Sequence, residues 1–481
     1  MSDPNHIEKI LGFRPLKTAV LNEQATHRSS PEKKSELTAE FPGSIEVTMD
    51  YQKAIEIIDA KAQVVFVTGR AGTGKSTFIQ FLRTKYEGTC AVVAPTGVAA
   101  LNAGGVTIHS FFRFPPRVVN PEDVERMMDS RLYKALKVLV IDEVSMVRAD
   151  VLDAIDRFLR LNGRAPDLPF GGIQVVLVGD LAQLPPVVST EEESALFSRR
   201  YRSPFFFSAE SLSGSIMAPI ELSRVFRQTD QDFIDLLSQV RLGDANEHVL
   251  HVLNSRVGQP LPSPAPVILT PTNAAADRIN LEGLRTLPGE EHLFIGAIEG
   301  CFRLEDKKLP APLHLKLKAD ARVMFTKNDG DKLWVNGTLG VVRDFSPGKI
   351  SVEIDERGRG VVDVCPVSWD QYRYRYDKEE ERVNADVVGS YTQFPLQPAW
   401  GITVHKSQGK TLPAVHVDLG RGAFAPGQTY VALSRARSLN TIWLKRPIRR
   451  EDVICDERIA AFYQGLFGRR EGGSGFEHSD S

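Results

Sequence analysis

The sequence predicts an α/β protein: two parallel-sheet domains with a small antiparallel β-barrel inserted in the second. Three observations predict it. Apolar, β-branched runs recur between Val64 and Asp180, as VVFVTG, AVVAPTG, KVLVIDE and IQVVLVGD, each closing near Gly, Pro or Asp and followed by a helix-like stretch. Runs of the same texture return at Pro266–Asn273 and Ala414–Gly420. Between them, from about Leu309 to Val388, short alternating runs such as RVMFTKND, GTLGVVRDF and KISVEID are separated by Gly and Asn turns.

Each observation has a physical reason. A continuous apolar run suits a strand buried on both faces, which is the situation of a parallel sheet with crossover helices. Ligands of such sheets bind beyond the carboxyl ends of the strands. Alternation of period two, broken by turn residues, suits a small antiparallel barrel. The expected organisation is a disordered tail over residues 1–44, a first parallel domain over 45–225, and a second over 226–308 and 389–446. The barrel occupies 309–388, and a C-terminal helix with a disordered tail fills 447–481.

Composition narrows the function classes. A length of 481 residues leaves room for about three domains. With 42% hydrophobic and 25% charged residues the chain can bury a core, so general disorder is excluded. Lys and Arg number 59 against 61 Asp and Glu, a net charge of −2, so any basic groove must be local. Cys90, Cys301, Cys365 and Cys455 form no Cys-x-x-Cys pair, which suggests neither a zinc ribbon nor a disulfide framework and fits a reducing compartment. Runs such as Val64–Val67, Val138–Ile141 and Gln174–Val178 are far shorter than the ~20 residues a bilayer crossing needs. The first 40 residues lack an apolar signal core, so a cytoplasmic location is expected.

The sharpest motif is Gly69-Arg70-Ala71-Gly72-Thr73-Gly74-Lys75-Ser76, placed between a strand and an amphipathic helix. Its glycines let backbone N–H groups face a triphosphate, Lys75 supplies a point charge, and the Ser76 hydroxyl suits magnesium. Gly72, Thr73, Gly74, Lys75, Ser76 and Thr77 are therefore the expected nucleotide contacts. Asp142 and Glu143 close the third strand, one to hold magnesium and one to orient or deprotonate the attacking water. Gln183, in GDLAQLPPV, is placed to sense the γ-phosphate, with a surface amide on a Pro-rich turn as the alternative. Asp180 fits a magnesium shell or a salt bridge. Thr48 begins a capped helix in which Gln52 either reads adenine or lies on the helix surface.

Two arginines, Arg227 in LSRVFRQ and Arg435 in TYVALSRARS, suit a hydrolysis site shared by two domains, with Arg224 and Arg437 as competitors. The remaining motifs fit a single-stranded phosphate track: Pro95, Thr96 and Gly97 after the second strand, His109 in TIHSFF, and Thr403, His405 and Lys406 in GITVHKSQGKT. Phe111 and Phe112 either stack bases or pack in the core. The segment Phe111–Arg117, stiffened by Pro115 and Pro116, is either a fork-splitting wedge or an ordinary loop.

Taken in order, GRAGTGKS, APTGVAALNAGG, TIHSFF, IDEVSM, GDLAQLPPV, VFRQ, GITVHKSQGKT and YVALSRAR resemble the motifs of superfamily-one helicases of the RecD-like branch. Pro169-Phe170-Gly171-Gly172-Ile173-Gln174 resembles the signature of the Pif family. The resemblance implies two RecA-like motor domains and a chain that uses ATP and magnesium in DNA repair, recombination and replication. It implies 5′→3′ translocation on single-stranded DNA and unwinding of duplex, forked or G-quadruplex DNA, by a monomer. It assigns Gln52 to adenine, Gly72, Gly74, Lys75 and Ser76 to the phosphates, Asp142 and Glu143 to magnesium and water, Gln183 to sensing, and Arg227 and Arg435 to the γ-phosphate. Leu181 stands where the family usually has an aromatic residue, and the residues before Gln52 match its adenine motif only loosely. The alternative is a nucleotide-dependent switch or remodeller of protein or RNA that does not unwind; such a switch has no need of a second motif set such as HKSQGKT and ALSRAR.

Overall fold

The computed structural model describes residues 48–467, apart from 116, 189–190, 214, 229, 301, 303–308, 332, 356–359 and 378–381. The tails expected over 1–44 and after the last helix lie outside the described residues.

The first parallel layer holds β1 (Val64–Gly69), β2 (Cys90–Ala94), β3 (Val106–Thr107), β4 (Val138–Ile141), β5 (Gln174–Val178) and β6 (Met217–Leu222), in the order β3-β2-β4-β5-β1-β6. Its neighbours pair in parallel, with Val64 opposite Val175 and Val138 opposite Gln174. Both faces are covered. Val64, Phe66, Val175 and Leu177 point to a core shared with the helix Ala149–Asn162, while Val65, Val67, Val176 and Val178 point to a second core with Tyr51, Phe78 and Leu82. The continuous apolar runs thus reflect burial from two sides.

The second layer begins with β7 (Val267–Thr270). The strands that follow, β8 (His292–Ile295) and β9 (Ala297–Gly300), leave that layer. Although the sequence placed them with the second parallel domain, β8 pairs with β10 (His314–Leu317), and β9 pairs with a later long strand. An antiparallel segment follows: β11 (Arg322–Phe325), β12 (Leu339–Ser346), β13 (Lys349–Ile354), β14 (Val361–Val364), β15 (Val367–Asp377), β16 (Arg382–Gln393) and β17 (Leu396–Pro398). Strand β16 is the partner of both β9 and β15.

The expected inserted barrel is not found closed among the described residues. Four of its strands form an open sheet with β17, which lies beyond the expected bounds, in the order β14-β13-β12-β11-β17, and the remaining pairs lie in separate two- and three-stranded sheets. The alternation was real, for β13 reads exposed-buried along its length, with Ile350, Val352 and Ile354 inward. Alternation specifies one buried face; it does not by itself join the two edges.

The chain then returns to the parallel layer through β18 (Gly401–Thr403), β19 (Val415–Val417) and β20 (Ile442–Leu444), in the order β18-β7-β19-β20. Its core, with Leu269, Ile402, Val404, Val415 and Val431, also takes in Ala71 and Leu184 from the first layer's loops, so the layers are packed against each other. The last helix, Glu457–Phe467, crosses back to the first layer. Phe462 stacks on Phe207 with ring centroids 4.4 Å apart, and the Tyr463 hydroxyl lies 2.8 Å from Thr68 Oγ1 on β1.

Candidate nucleotide cleft and strand-facing loops

A cleft of about 590 Å³ opens where the two parallel layers meet. From the first layer it is lined by Ala71, Gly72, Thr73, Gly74, Lys75, Ser76, Glu143 and Gln183; Phe226 and Arg227 lie on the connection, and Gly409, Thr411, Arg435 and Arg437 come from the second layer. The expected phosphate loop, both arginines and Gln183 therefore converge on one cavity, and Arg437 joins them. Four cationic side chains face a single acidic one, Glu143, so the cavity demands an anion.

The loop geometry follows from its glycines. Gly72 (φ +85°) and Gly74 (φ +83°) are left-handed, a region that side chains rarely adopt. A side chain at Gly72 would collide with Arg227 Cβ, and one at Gly74 with the Tyr51 hydroxyl. The loop is thereby wedged between Tyr51 and the Arg227 segment, and the Phe226 amide donates to Gly72 O at 2.8 Å. Lys75 Nζ donates to Gly69 O at 2.7 Å and Arg70 O at 2.9 Å. Burial lowers its pKa, with Asp180 and Glu143 pulling the other way.

The carboxylates at the end of β4 are under the opposite pressure. Burial, then the neighbouring Glu143, pushes Asp142 up to about 7. Burial also raises Glu143 against the pull of Lys75 and of Gln408, whose Nε2 donates to Glu143 Oε2 at 3.0 Å from the other layer. Glu143 adopts φ 48°, ψ 45°, a conformation rare for a side-chain-bearing residue and of the kind concentrated at functional sites. Buried hard oxygens that resist carrying charge unpaired suit a divalent cation, so Asp142 with the Ser76 hydroxyl fits magnesium.

The arginines are held by backbone. Arg435 is 1% exposed and donates to Val431 O (2.8 Å), Ser407 O (3.3 Å), Lys410 O (3.1 Å) and Ser434 Oγ (2.8 Å). Burial, then the nearby Arg227, lowers it to about 9. Arg227 donates to Ser434 O at 3.1 Å and is also lowered by burial. Arg437 adds to the lowering of Arg227, and guanidinium groups crowded together in this way are complementary to phosphate oxygens.

Asp180 takes the salt-bridge role. Burial works to raise it, but Arg241 at 3.0 Å and Lys75 prevail, and its carboxyl stays below the usual range. The Tyr430 hydroxyl donates to Asp180 Oδ2 at 3.1 Å and accepts from Ala71 N at 2.9 Å, so second-layer residues brace the phosphate loop directly. Gln183 Nε2 reaches the same carboxylate at 3.4 Å. Leu181 is fully buried in the first core.

Gln52 does not line the cleft. The Thr48 cap is present, its hydroxyl accepting from Tyr51 N at 3.3 Å, and this phase turns Tyr51 inward and leaves Gln52 exposed. Tyr51, which the sequence reading missed, donates from its hydroxyl to Gly74 O at 2.7 Å. Phe226 was also missed; it is 44% exposed at the rim beside Gly74, with the Arg224 guanidinium 5.0 Å above its ring. The signal for Tyr51 was the helix phase from its cap, and for Phe226 a large apolar residue inside the charged LSRVFRQTD.

The base-stacking expectation fails for Phe111 and Phe112. They are 4% and 1% exposed and pack edge-on at 4.9 Å; Phe112 stacks on Phe114 and meets Phe158 at 5.3 Å. These rings fill the first core beneath the helix Ala149–Asn162 and have no free face. The wedge segment is anchored too: besides its buried phenylalanines, Arg117 pairs with Asp123 at 2.6 Å.

The other track residues stand at strand ends. Thr96 caps the helix Gly97–Ala103, accepting from Ala99 N at 3.2 Å, with Pro95 half-buried and Gly97 exposed. Thr107 accepts from Ser110 N at 3.2 Å just ahead of half-buried His109. Thr403 accepts from Lys406 N at 3.2 Å, and His405 and Lys406 are exposed. Partial burial lowers both histidines below the ordinary imidazole value.

The model of a family described as PIF1-like helicase matches residues 46–250. The ATP-dependent DNA helicase Pif1 of Bdellovibrio bacteriovorus is 34% identical over 88% of this chain and 93% of its own length. The ATP-dependent DNA helicase PIF1 of Rattus norvegicus is 34% identical over 89% of this chain, but this chain spans only 65% of that protein. Among solved structures, Pif1 from a Bacteroides species in complex with ADP-AlF4 gives a TM-score of 0.78 at 34% identity, covering 89% of this chain and 98% of that one. The same protein bound to ssDNA gives 0.67 at 35% identity, with the same coverage.

Proposed function

Because the chain belongs to the PIF1-like helicase family, we propose that it is an ATP-dependent DNA helicase that travels 5′→3′ along single-stranded DNA and unwinds duplex, forked or G-quadruplex DNA as a monomer. The observation that carries this reading is the single cleft onto which Lys75, Glu143, Arg227 and Arg435 converge from two parallel layers. A nucleotide can drive movement only if it binds one arrangement of the layers more tightly than another, and charges contributed by both layers provide that difference.

In this reading Gly72, Thr73, Gly74, Lys75, Ser76 and Thr77 bind the phosphates. Ser76 and Asp142 hold magnesium, which supplies charge neutralisation on the phosphate oxygens. Glu143 orients and deprotonates water, Gln183 relays nucleotide state to Asp180, and Arg227 and Arg435 meet charge developing on the γ-phosphate. Phe226 offers an exposed ring on which the adenine stacks. Pro95, Thr96, Gly97, His109, Thr403, His405 and Lys406 contact the strand backbone, moving as the layers close and open. The ssDNA-bound Bacteroides relative and the names of the curated relatives support DNA as the polymer. Among the described residues no helix is long and apolar enough to cross a membrane, and Cys90, Cys365 and Cys455 are unpaired, in keeping with work in the cytoplasm.

The test is unwinding of duplexes carrying a 5′ or a 3′ single-stranded tail, with and without ATP, using Lys75→Ala as the control. Unwinding of the 5′-tailed substrate alone, dependent on ATP and on Lys75, is expected. Efficient unwinding from the 3′ tail would refute the polarity. ATP hydrolysis without unwinding of either substrate would return the chain to the switch or remodeller class.

A further inference from the structure

We propose that Gln408 is a positioning residue for Glu143, through which the short helix Val404–Ser407 sets the orientation of the carboxylate that handles the attacking water. The proposal rests on the reading of Glu143 given above. Gln408 Nε2 donates to Glu143 Oε2 at 3.0 Å, from the second layer to the first and across 265 positions of sequence. Among the described residues no other side chain donates a hydrogen bond to that carboxylate, although Lys75 and Arg435 act on it through their charge. Glu143 sits on a left-handed backbone that fixes where its side chain starts, so one directional amide decides where it ends.

The path from the strand-facing helix to the cleft is short and stiff. His405 and Lys406 are exposed on the helix. Ser407 is fully buried, and its carbonyl accepts from Arg435 at 3.3 Å. Gln408 closes the helix, its amide donating to His405 O at 3.2 Å, and Gly409 reaches the cleft wall, where its carbonyl accepts from Arg227 at 3.5 Å. Within five residues the chain passes from an exposed cationic face to the water-handling carboxylate and both arginines. A polynucleotide that shifts His405 and Lys406 cannot leave Gln408 still, so strand engagement is expressed in the aim of Glu143. Because Gln408 acts through Glu143, its loss should lower turnover and spare nucleotide affinity.

The experiment compares ATPase kinetics of wild type, Gln408→Met and Gln408→Ala with and without oligo-dT, and repeats Gln408→Met in a Glu143→Asp background. Loss of one amide donor should lower kcat with oligo-dT about tenfold, while KM for ATP and Kd for oligo-dT stay within about twofold. In Glu143→Asp the carboxylate is one methylene short of the amide, so adding Gln408→Met should cost at most about twofold more. Wild-type kcat with oligo-dT in Gln408→Met, or an equal fold loss in both backgrounds, would overturn the proposal. A wild-type enzyme whose ATPase ignores oligo-dT would instead overturn the reading of the site as a DNA motor.

Discussion

The six-stranded and four-stranded layers agree in one place and part company in another. In each, two adjacent strands are followed by a helix that a threonine caps: Thr96 two residues beyond β2 and Thr107 at the end of β3, Thr272 two residues beyond β7 and Thr403 at the end of β18. In each, a histidine stands two residues beyond the second cap, His109 and His405. The likeness ends at the cleft. Only the first layer follows a strand with a glycine loop and a lysine, and another with paired carboxylates; the second contributes Arg435, Gly409 and Gln408 instead. The cleft lining is therefore divided, with the lysine and Glu143 on one side and Arg435 on the other, and in the proposed function neither layer alone completes the chemistry.

The largest effect that separates the two layers is expected in the core of the first. Phe112→Ala should lower folding stability by about 3–5 kcal/mol, measured by chemical denaturation, while affinity of the folded protein for oligo-dT stays unchanged. A large loss of affinity with little destabilisation would give the ring back its stacking role. In the second layer, the sharper probe is Lys410, whose amine burial, then Lys406, lowers to about 8. Its folded pKa lies below its unfolded one, so the burial penalty is present in full below pH 8 and disappears as pH rises toward 10.5. Wild type should therefore gain up to about 3 kcal/mol on Lys410→Met across that window; a difference that does not vary with pH would contradict the burial argument. The smallest effect concerns the adenine side. Gln52→Ala should leave KM for ATP within about twofold, whereas Tyr51→Phe, which loses the bond to Gly74 O, should raise it several-fold, on the order of 1 kcal/mol. The reverse ranking would restore Gln52.

Much of this was legible in the sequence, and the reasons differ by element. The parallel strands could be read because burial on both faces leaves an uninterrupted apolar run, and Val138–Ile141 and Gln174–Val178 were bounded to the residue. The phosphate loop could be read because only glycine tolerates the backbone of Gly72 and Gly74. What could not be read was direction in space. Nothing in TIHSFF says whether a ring faces a polymer or a core, since both reward the same apolar surface. Gln52 and Tyr51 are adjacent, and a helix turns them about 100° apart, so a one-residue error in phase exchanges inside for outside. The inserted segment announced its alternation but not whether its edges meet, because edge pairing is decided by twist and register between distant strands. Gln408 was invisible for a related reason: its partner is 265 residues away.

Single-turnover hydrolysis by Arg435→Ala and Arg435→Lys, beside equilibrium binding of ATP, tests whether the nucleotide is held between both layers. Both variants should bind ATP within about tenfold of wild type yet hydrolyse it about 10³-fold more slowly in the presence of single-stranded DNA, because the guanidinium meets charge that develops only in the transition state. Hydrolysis at the wild-type rate in either variant would mean that the second layer takes no part in the chemistry, and the shared cleft would lose its meaning.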